Sequence, residues 1–297
     1  GRPVSVRIVN AAEVERLLPM KEAIEAMASA FRALAADDVV QPLRSSVWIP
    51  DRSGLLGLMP AYVGTPPAIG LKVVTVMPGN HGTAFDSHQG AVLVFETRHG
   101  ALRAIVDATA ITAIRTAAVS ALATRLLARE EAGDLALLGS GTQARTHLAA
   151  MRAVRALRRV RVWSASPERA QAFAERESAR HGIAVEIASS AEAAVRGADL
   201  ICTVTSAREP VLQGAWIAEG AHVNAVGACF PDARELDTAA VLRSRLIVDR
   251  RESALREAGD VLIPLAEGAI DERHIVAELG EVLAGGVPGR NWASEIA

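Results

Sequence analysis

Cysteine is scarce in this 297-residue sequence. Cys202 and Cys229 alone are too few for a disulfide framework and fit a reducing compartment. Lysine is scarcer still in proportion to its usual use, with only Lys21 and Lys72 among 32 basic residues, so arginine stands wherever a generic positive charge would do. No excess of one charge exists: 32 basic residues against 34 acidic ones leave a net charge of −2, which gives no electrostatic footprint for nucleic acid or an acidic membrane. The seven histidines form no HExxH motif and no Cys/His pairing, which argues against a metal site. His81 and His88, in a Gly-rich loop, read as solvated or hydrogen-bonded side chains rather than metal ligands. No uninterrupted apolar run reaches the roughly 18 residues needed to span a bilayer, and the start "GRPVSVRIVN" lacks the apolar region of a signal peptide. The expectation is a soluble cytoplasmic globule whose partners are small molecules.

Half of the residues are hydrophobic, enough for a sizeable core without covalent staples. Residues 20–36 place Ile24, Met27, Phe31 and Leu34 on one face at steps of three and four, an amphipathic helix. Short β-like runs follow, "LRSSVWIP", "GLLGLMPAYV", "IGLKVVTVMP" and "GAVLVFE", whose close spacing predicts a mostly antiparallel sheet. An Ala-rich helix is expected over about 109–129. The rhythm then changes to alternating βα units, through "LALLG", "RVRVWS", "IAVEIA", "DLICTVT", "AHVNAVG" and "RLIVD". Such alternation predicts an α/β fold, a Rossmann-type doubly wound parallel sheet preceded by an α+β domain. The expected division is 1–115 and 116–284, with 285–297 able to rejoin the first domain.

The stretch "DLALLGSGTQARTHLAAM" carries Gly139, Ser140, Gly141, Thr142, Gln143 and Ala144 between a strand and a helix. A GxGxxG-like match alone is weak, but here an apolar strand precedes it and further βα units follow. Gly139 permits the tight turn, Gly141 admits a pyrophosphate to the backbone, and Ala144 allows helix and strand to pack closely. An ordinary βα turn without a ligand is the alternative, which this context outweighs. The second strand runs into Ser164-Ala165-Ser166, followed by Glu168 and Arg169, without an acid placed to hold a ribose 2′-hydroxyl. Two hydroxyls and Arg169 suit a 2′-phosphate, which favours NADP with NAD as the alternative. The same serines would equally serve as caps of the next helix. The other expected cofactor contacts are Thr116, Thr203, Thr205, Val226 and Gly227.

Lys72 interrupts the apolar "AIGLKVVTV", where a buried ammonium is costly unless something pairs with it. The solvated face of an edge strand would explain it as well. Arg115 lies in "ATAITAIRTAAVSALA", and its helical neighbours Ile111, Thr112, Ala118 and Val119 include no carboxylate. Such an arginine suits a substrate carboxylate or a cofactor phosphate. Arg44, in the polar "LRSSV", reads by itself as a surface residue.

With these residues in view, the chain resembles the family of ornithine cyclodeaminase, mu-crystallin (a ketimine reductase) and the archaeal type of alanine dehydrogenase. The matching stretches are "RSSVWIP", "LMPAYVG", "GLKVVTVMPGN", "TAIRTAAVSALAT", "LLGSGTQA", "HVNAVGACFPDARELD", "REAGDVLIP" and "ELGEVLAG", in order over nearly the whole chain. The resemblance implies an N-terminal substrate and dimerisation domain, a Rossmann domain and an active site between them. It also implies a homodimer acting on a small imino or amino acid whose carboxylate is held by Arg44, Lys72 and Arg115. Cyclodeaminases carry a catalytic Asp in a Val-Gly-Gly-Asp segment after the fifth Rossmann strand, whereas this chain has Val226-Gly227-Ala228-Cys229. The following Pro231-Asp232-Ala233-Arg234-Glu235-Leu236-Asp237 is similar to the reductase and dehydrogenase branch. Family members continue past the segment matching "SEIA" with a helix returning to the substrate domain, and this sequence ends at Ala297.

The expected activity is reduction of a cyclic ketimine such as 1-pyrroline-2-carboxylate or 1-piperideine-2-carboxylate. Lys72, Arg115 and Cys229 are the residues expected at the reacting atoms. Lys72 has two open roles, proton relay and carboxylate binder. Alternatives are an amino-acid dehydrogenase, an ornithine cyclodeaminase, and a non-catalytic NADPH-dependent small-molecule binder.

Overall fold

The computed structural model describes residues 5–80 and 83–297, so His81 lies outside the described residues. The chain divides into two compact units, Gly1–Arg115 and Thr116–Ala297.

In the first unit the elements run β1 (Arg7–Val9), α1 (Ala11–Leu17), α2 (Met20–Ala35), β2 (Val39–Val40), β3 (Ser45–Trp48), β4 (Leu55–Val63), β5 (Ala68–Val76), β6 (His88–Phe95) and β7 (Leu102–Asp107). Asn10 caps α1 in a reciprocal box with Glu13, and α2 buries Ala23, Ile24, Ala28 and Ala33 on its apolar face. The sheet order is β1-β7-β6-β5-β4-β2, with β3 also on β4. Every pairing is antiparallel except β1 with β7. His88 opens β6 rather than lying in the loop before it. Arg44 precedes β3 by one residue and is exposed, so it is not a strand residue as its context suggested.

Helix α3 (Ala108–Leu127) carries the point of division between Arg115 and Thr116. The Asp107 carboxylate accepts from the Ala110 N–H at 2.7 Å and so starts the helix. With 20 residues it is long and apolar enough to cross a membrane by composition, but 56% of its most apolar window is buried within the protein. Small residues that pack closely, Ala117, Ala118 and Ala121, explain that composition.

The second unit continues with β8 (Asp134–Leu138), α4 (Thr142–Val154), β9 (Arg159–Trp163), α5 (Pro167–His181), β10 (Val185–Ile187), α6 (Ala191–Val195), β11 (Leu200–Thr203) and β12 (His222–Ala225). These strands form one fully parallel sheet in the order β10-β9-β8-β11-β12. Its centre is dry: Leu135, Leu137, Leu138, Val160, Val162, Leu200 and Ile201 are all fully buried. Each such side chain contributes about 1.5–3 kcal/mol of burial. β8 lies between β9 and β11, so the crossovers leave it in opposite directions and open a crevice at its carboxyl end.

"RLIVD" does not extend this sheet as a neighbour of β12. As β13 (Leu246–Val248) it pairs in parallel with β14 (Ile275–Glu278), across α7 (Thr238–Arg243) before it and α8 (Arg251–Glu257) and α9 (Gly259–Ala266) after it. The C-terminal residues occupy the place beside β12 instead. The Val223 N–H donates to the Ala297 carbonyl at 2.8 Å, and the Arg245 N–H to the Ile296 carbonyl at 2.8 Å. Ile296 is buried in the core with Ala136, Leu138 and Val241. Residues 285–297 thus fall within the second unit, Thr116–Ala297.

Candidate active site

The register aligns the carboxyl ends of four strands. Leu138 pairs with Trp163 on one side and Thr203 on the other, and Thr203 pairs with Ala225. Gly139, Ser164, Val204 and Val226 consequently emerge along one edge of the sheet. Gly139 has φ +119°, and a Cβ there would lie 2.7 Å from the Val204 carbonyl oxygen, so only glycine fits. Gly141 caps α4 without any side-chain hydrogen bond, and a Cβ at this position would meet nothing within 4 Å. The first-turn N–H groups of α4, from Thr142 to Ala144, have no acceptor in a preceding turn. A helix N-terminus facing open space, with no side chain placed to satisfy it, fits a pyrophosphate. Ser140 and Gln143 are half-buried at this turn, while Ala144 is fully buried where α4 packs on the sheet.

At the end of β9, Ser166 does cap the next helix. The Ser166 hydroxyl accepts from the Arg169 N–H at 3.3 Å and donates to Glu168 Oε2 at 2.9 Å. Ser164 Oγ accepts from the Ser166 N–H at 3.4 Å. Arg169 lies exposed on the first turn of α5.

The loops after β11 and β12 are joined by a residue to which no sequence motif assigns a role, Glu235. Glu235 is fully buried, and its Oε1 accepts from both the N–H and the hydroxyl of Thr205, each at 2.6 Å. Its Oε2 accepts from the Gly227 N–H at 2.6 Å. Burial pushes the Glu235 carboxyl above its ordinary range, against which the Thr205 donors stabilise the charged form. Cys229 lies beyond Gly227 in the same loop, exposed, with its thiol 3.6 Å from the Val226 carbonyl. Asp232 is also exposed and forms an ion pair with Arg208.

In the first unit, Lys72 occupies an interior strand, paired with Met59 on β4 and Val92 on β6. The edge-strand explanation is thereby excluded. Its ammonium is half-buried and donates to Thr112 Oγ1 of α3 at 3.4 Å. Arg115 is exposed three residues beyond Thr112, on the same helical face. The fold thus brings Lys72 to the turn of α3 that carries Arg115.

Two histidines in the second unit are buried. His147 Nδ1–H donates to the Gln143 carbonyl at 2.7 Å, which leaves Nε2 to accept from the Ser120 hydroxyl at 2.9 Å. His222 Nε2 lies 3.2 Å from Asn224 Oδ1. Burial pushes both imidazoles down to about 4. Because the folded values lie below that of an unfolded histidine, their contribution to stability is present above pH ~6.5 and is lost as pH falls toward ~4. Imidazole nitrogen shifts in NMR spectra should show both rings neutral at pH 5, and a charged ring there would contradict this placement.

Comparison with known proteins decides the family. The family model for the ornithine cyclodeaminase/mu-crystallin family matches residues 5–297. The chain belongs to the ornithine cyclodeaminase/mu-crystallin family. Ketimine reductase mu-crystallin of Mus musculus is 44% identical over 250 residues, 84% of this chain and 76% of the relative. The Delta(1)-pyrroline-2-carboxylate reductase of Thermococcus litoralis, solved with NADH and L-proline, superposes with a TM-score of 0.94 at 38% identity, over 98% of this chain and 90% of that one. An archaeal alanine dehydrogenase dimer with bound NAD superposes at 0.91 and 32% identity, over 98% of this chain and 88% of that one.

Proposed function

We propose that this family member is an NAD(P)H-dependent reductase of a cyclic ketimine, of the 1-pyrroline-2-carboxylate or 1-piperideine-2-carboxylate type, with NADPH preferred. The observation that carries the reading is Lys72, held on an interior strand against the α3 turn that bears Arg115. Two cations so placed suit a compact carboxylate. The names of the mouse and Thermococcus relatives support the substrate class.

The cofactor set is the turn from Gly139 to Ala144, with Thr116, Ser164, Ser166, Arg169, Thr203, Thr205, Val226 and Gly227. When bound, the nicotinamide supplies the hydride that reduces the C=N carbon. The first turn of α4 binds the pyrophosphate through its N–H groups. Arg169, exposed and without an ion pair among the described residues, receives the 2′-phosphate, since no acid stands at the end of β9. Lys72 and Arg115 hold the substrate carboxylate, with Arg44 as an outer contact. Fixing the imine against the nicotinamide makes the transfer effectively unimolecular, an effect worth several kcal/mol. The protein works as a cytoplasmic homodimer.

Cys229 separates this reading from cyclodeamination. Ornithine cyclisation needs a base for protons during attack by the side-chain amine and loss of ammonia. A thiol is ordinarily mostly protonated at neutral pH and accepts protons poorly. Asp232, three residues on and ion-paired with Arg208, is the other carboxylate that could take that role, but it lies in the stretch similar to the reductase and dehydrogenase branch. The test is steady-state kinetics with each reduced cofactor and a panel of cyclic ketimines, beside incubation with L-ornithine and a trace of NAD(P). The expected outcome is a higher kcat/KM with NADPH and no multiple-turnover proline from ornithine. Preference for NADH would overturn the cofactor assignment, and sustained proline release would put the protein in the cyclodeaminase branch. Turnover of a 2-oxo acid only with ammonia would instead favour an amino-acid dehydrogenase, in line with the archaeal structural neighbour.

A further inference from the structure

Glu235 sits in the loop between β12 and α7 and is tied down at every polar atom of its backbone. Its carbonyl accepts from the Val211 N–H at 2.7 Å and the Leu212 N–H at 2.9 Å. Its own N–H donates to Asp260 Oδ1 at 2.8 Å, and the Leu236 N–H to the same oxygen at 2.9 Å. The side chain is therefore presented in a fixed position to the two loops described above. With no exposed surface it cannot touch a ligand. What it touches are the first residues of two loops at the ligand edge of the sheet. Gly227 is packed so closely on it that a Cβ would lie 2.2 Å from the Thr205 carbonyl oxygen and 2.5 Å from Glu235 Cδ.

The sheet order shows which half of a dinucleotide these loops would meet. The end of β9 is where a doubly wound fold reads the adenosine ribose. β11 and β12 lie on the other side of β8, so their loops serve the nicotinamide half. We infer that Glu235 is a positioning residue that clamps the Thr205 and Gly227 backbones together and so shapes the nicotinamide end of the site, leaving the adenosine end untouched. The inference rests on the proposed cofactor set. A carboxylate suits the task because it is acceptor-only and has two oxygens for three donors. Glutamine in its place offers one oxygen and one NH2, and that NH2 must face a backbone N–H of one loop, which has to move. Glu235→Asp keeps both acceptors but is one methylene too short to span both loops.

The test measures dissociation constants of wild type, Glu235→Gln and Glu235→Asp for two ligands. One is NADPH, followed by its fluorescence. The other is 2′-phospho-ADP-ribose, which has the adenosine half and both bridging phosphates but no nicotinamide. In Glu235→Gln, NADPH affinity should fall about tenfold, the loss expected for one misplaced hydrogen-bond partner. Affinity for 2′-phospho-ADP-ribose should stay within about twofold, and Glu235→Asp should show the same split with smaller amplitude. If the glutamine variant does not fold, the aspartate variant carries the comparison. Equal weakening of both ligands, unchanged NADPH affinity, or failure of both variants to fold would each overturn the clamp. Wild-type protein that binds neither ligand would instead overturn the cofactor reading on which the clamp depends.

Discussion

Gly141→Asp should leave the protein as stable as before, or slightly more so, while removing most of its affinity for NADPH. Gly141 has ordinary extended backbone angles, φ −90° and ψ −164°, so aspartate fits without strain. A Cβ there meets no atom within 4 Å. Aspartate is among the best N-cap residues, a few tenths of a kcal/mol better than glycine, and its charge suits the positive end of the α4 dipole. A bound pyrophosphate would then face a carboxylate at the N–H groups it needs. Two like charges about 4 Å apart at an effective dielectric near 20 repel by about 4 kcal/mol, roughly a thousandfold in affinity. Thermal unfolding and fluorescence titration read the two effects separately. An ordinary turn without a ligand would show the gain in stability and no loss of binding, and that result would remove the dinucleotide from this site.

The second large effect belongs to the cations of the first unit. Arg115→Ala should leave no measurable turnover, and Lys72→Met should lower kcat/KM about ten- to a hundredfold. A lost charge-assisted contact typically costs about 1.5–3 kcal/mol, and more where orientation goes with it. Methionine keeps the length of the Lys72 stem on β5 and removes the half-buried ammonium with its long hydrogen bond to Thr112, so the protein should still fold. The form of the loss distinguishes the two roles open to Lys72. A carboxylate binder loses mainly through KM and leaves the pH profile of kcat unchanged, whereas a proton relay loses through kcat and removes a limb of that profile. Arg115→Lys should recover little, because an ammonium cannot form the two parallel bonds of a guanidinium to a carboxylate. Near-wild-type kinetics in folded Lys72→Met and Arg115→Ala proteins would make both residues structural.

The parts of this fold that the sequence announces are those governed by local spacing. The turn at Gly139 stands out because an apolar strand, a glycine pair and a helix follow one another within a few residues. Lys72 stands out because charge is rare in a strand and lysine is rare in this chain. Glu235 gave no such signal: its donors Thr205 and Gly227 lie 30 and 8 residues away, and one acid among the polar residues of "PDARELD" has no periodicity to mark it. Glu235 and its neighbour Leu236 are both buried, which breaks the alternation that would otherwise mark a buried position. The fate of "RLIVD" was hidden for a related reason. A short apolar run predicts a strand but not its partner, and the place beside β12 went to Ile296 and Ala297 from the far end of the chain. The serines after β9 remained ambiguous because a hydroxyl that caps a helix and one that meets a ribose phosphate occupy the same positions.

The most direct measurement follows one atom. NADPH carrying deuterium stereospecifically at nicotinamide C4, in each of its two epimers, is incubated with the protein and 1-piperideine-2-carboxylate, and the pipecolate formed is analysed by mass spectrometry and NMR. Ketimine reduction at an ordered site predicts pipecolate with one deuterium at C2 from one epimer and none from the other. Failure to form pipecolate or another cyclic amino acid from any cyclic ketimine, or a product without deuterium from both epimers, would contradict the account.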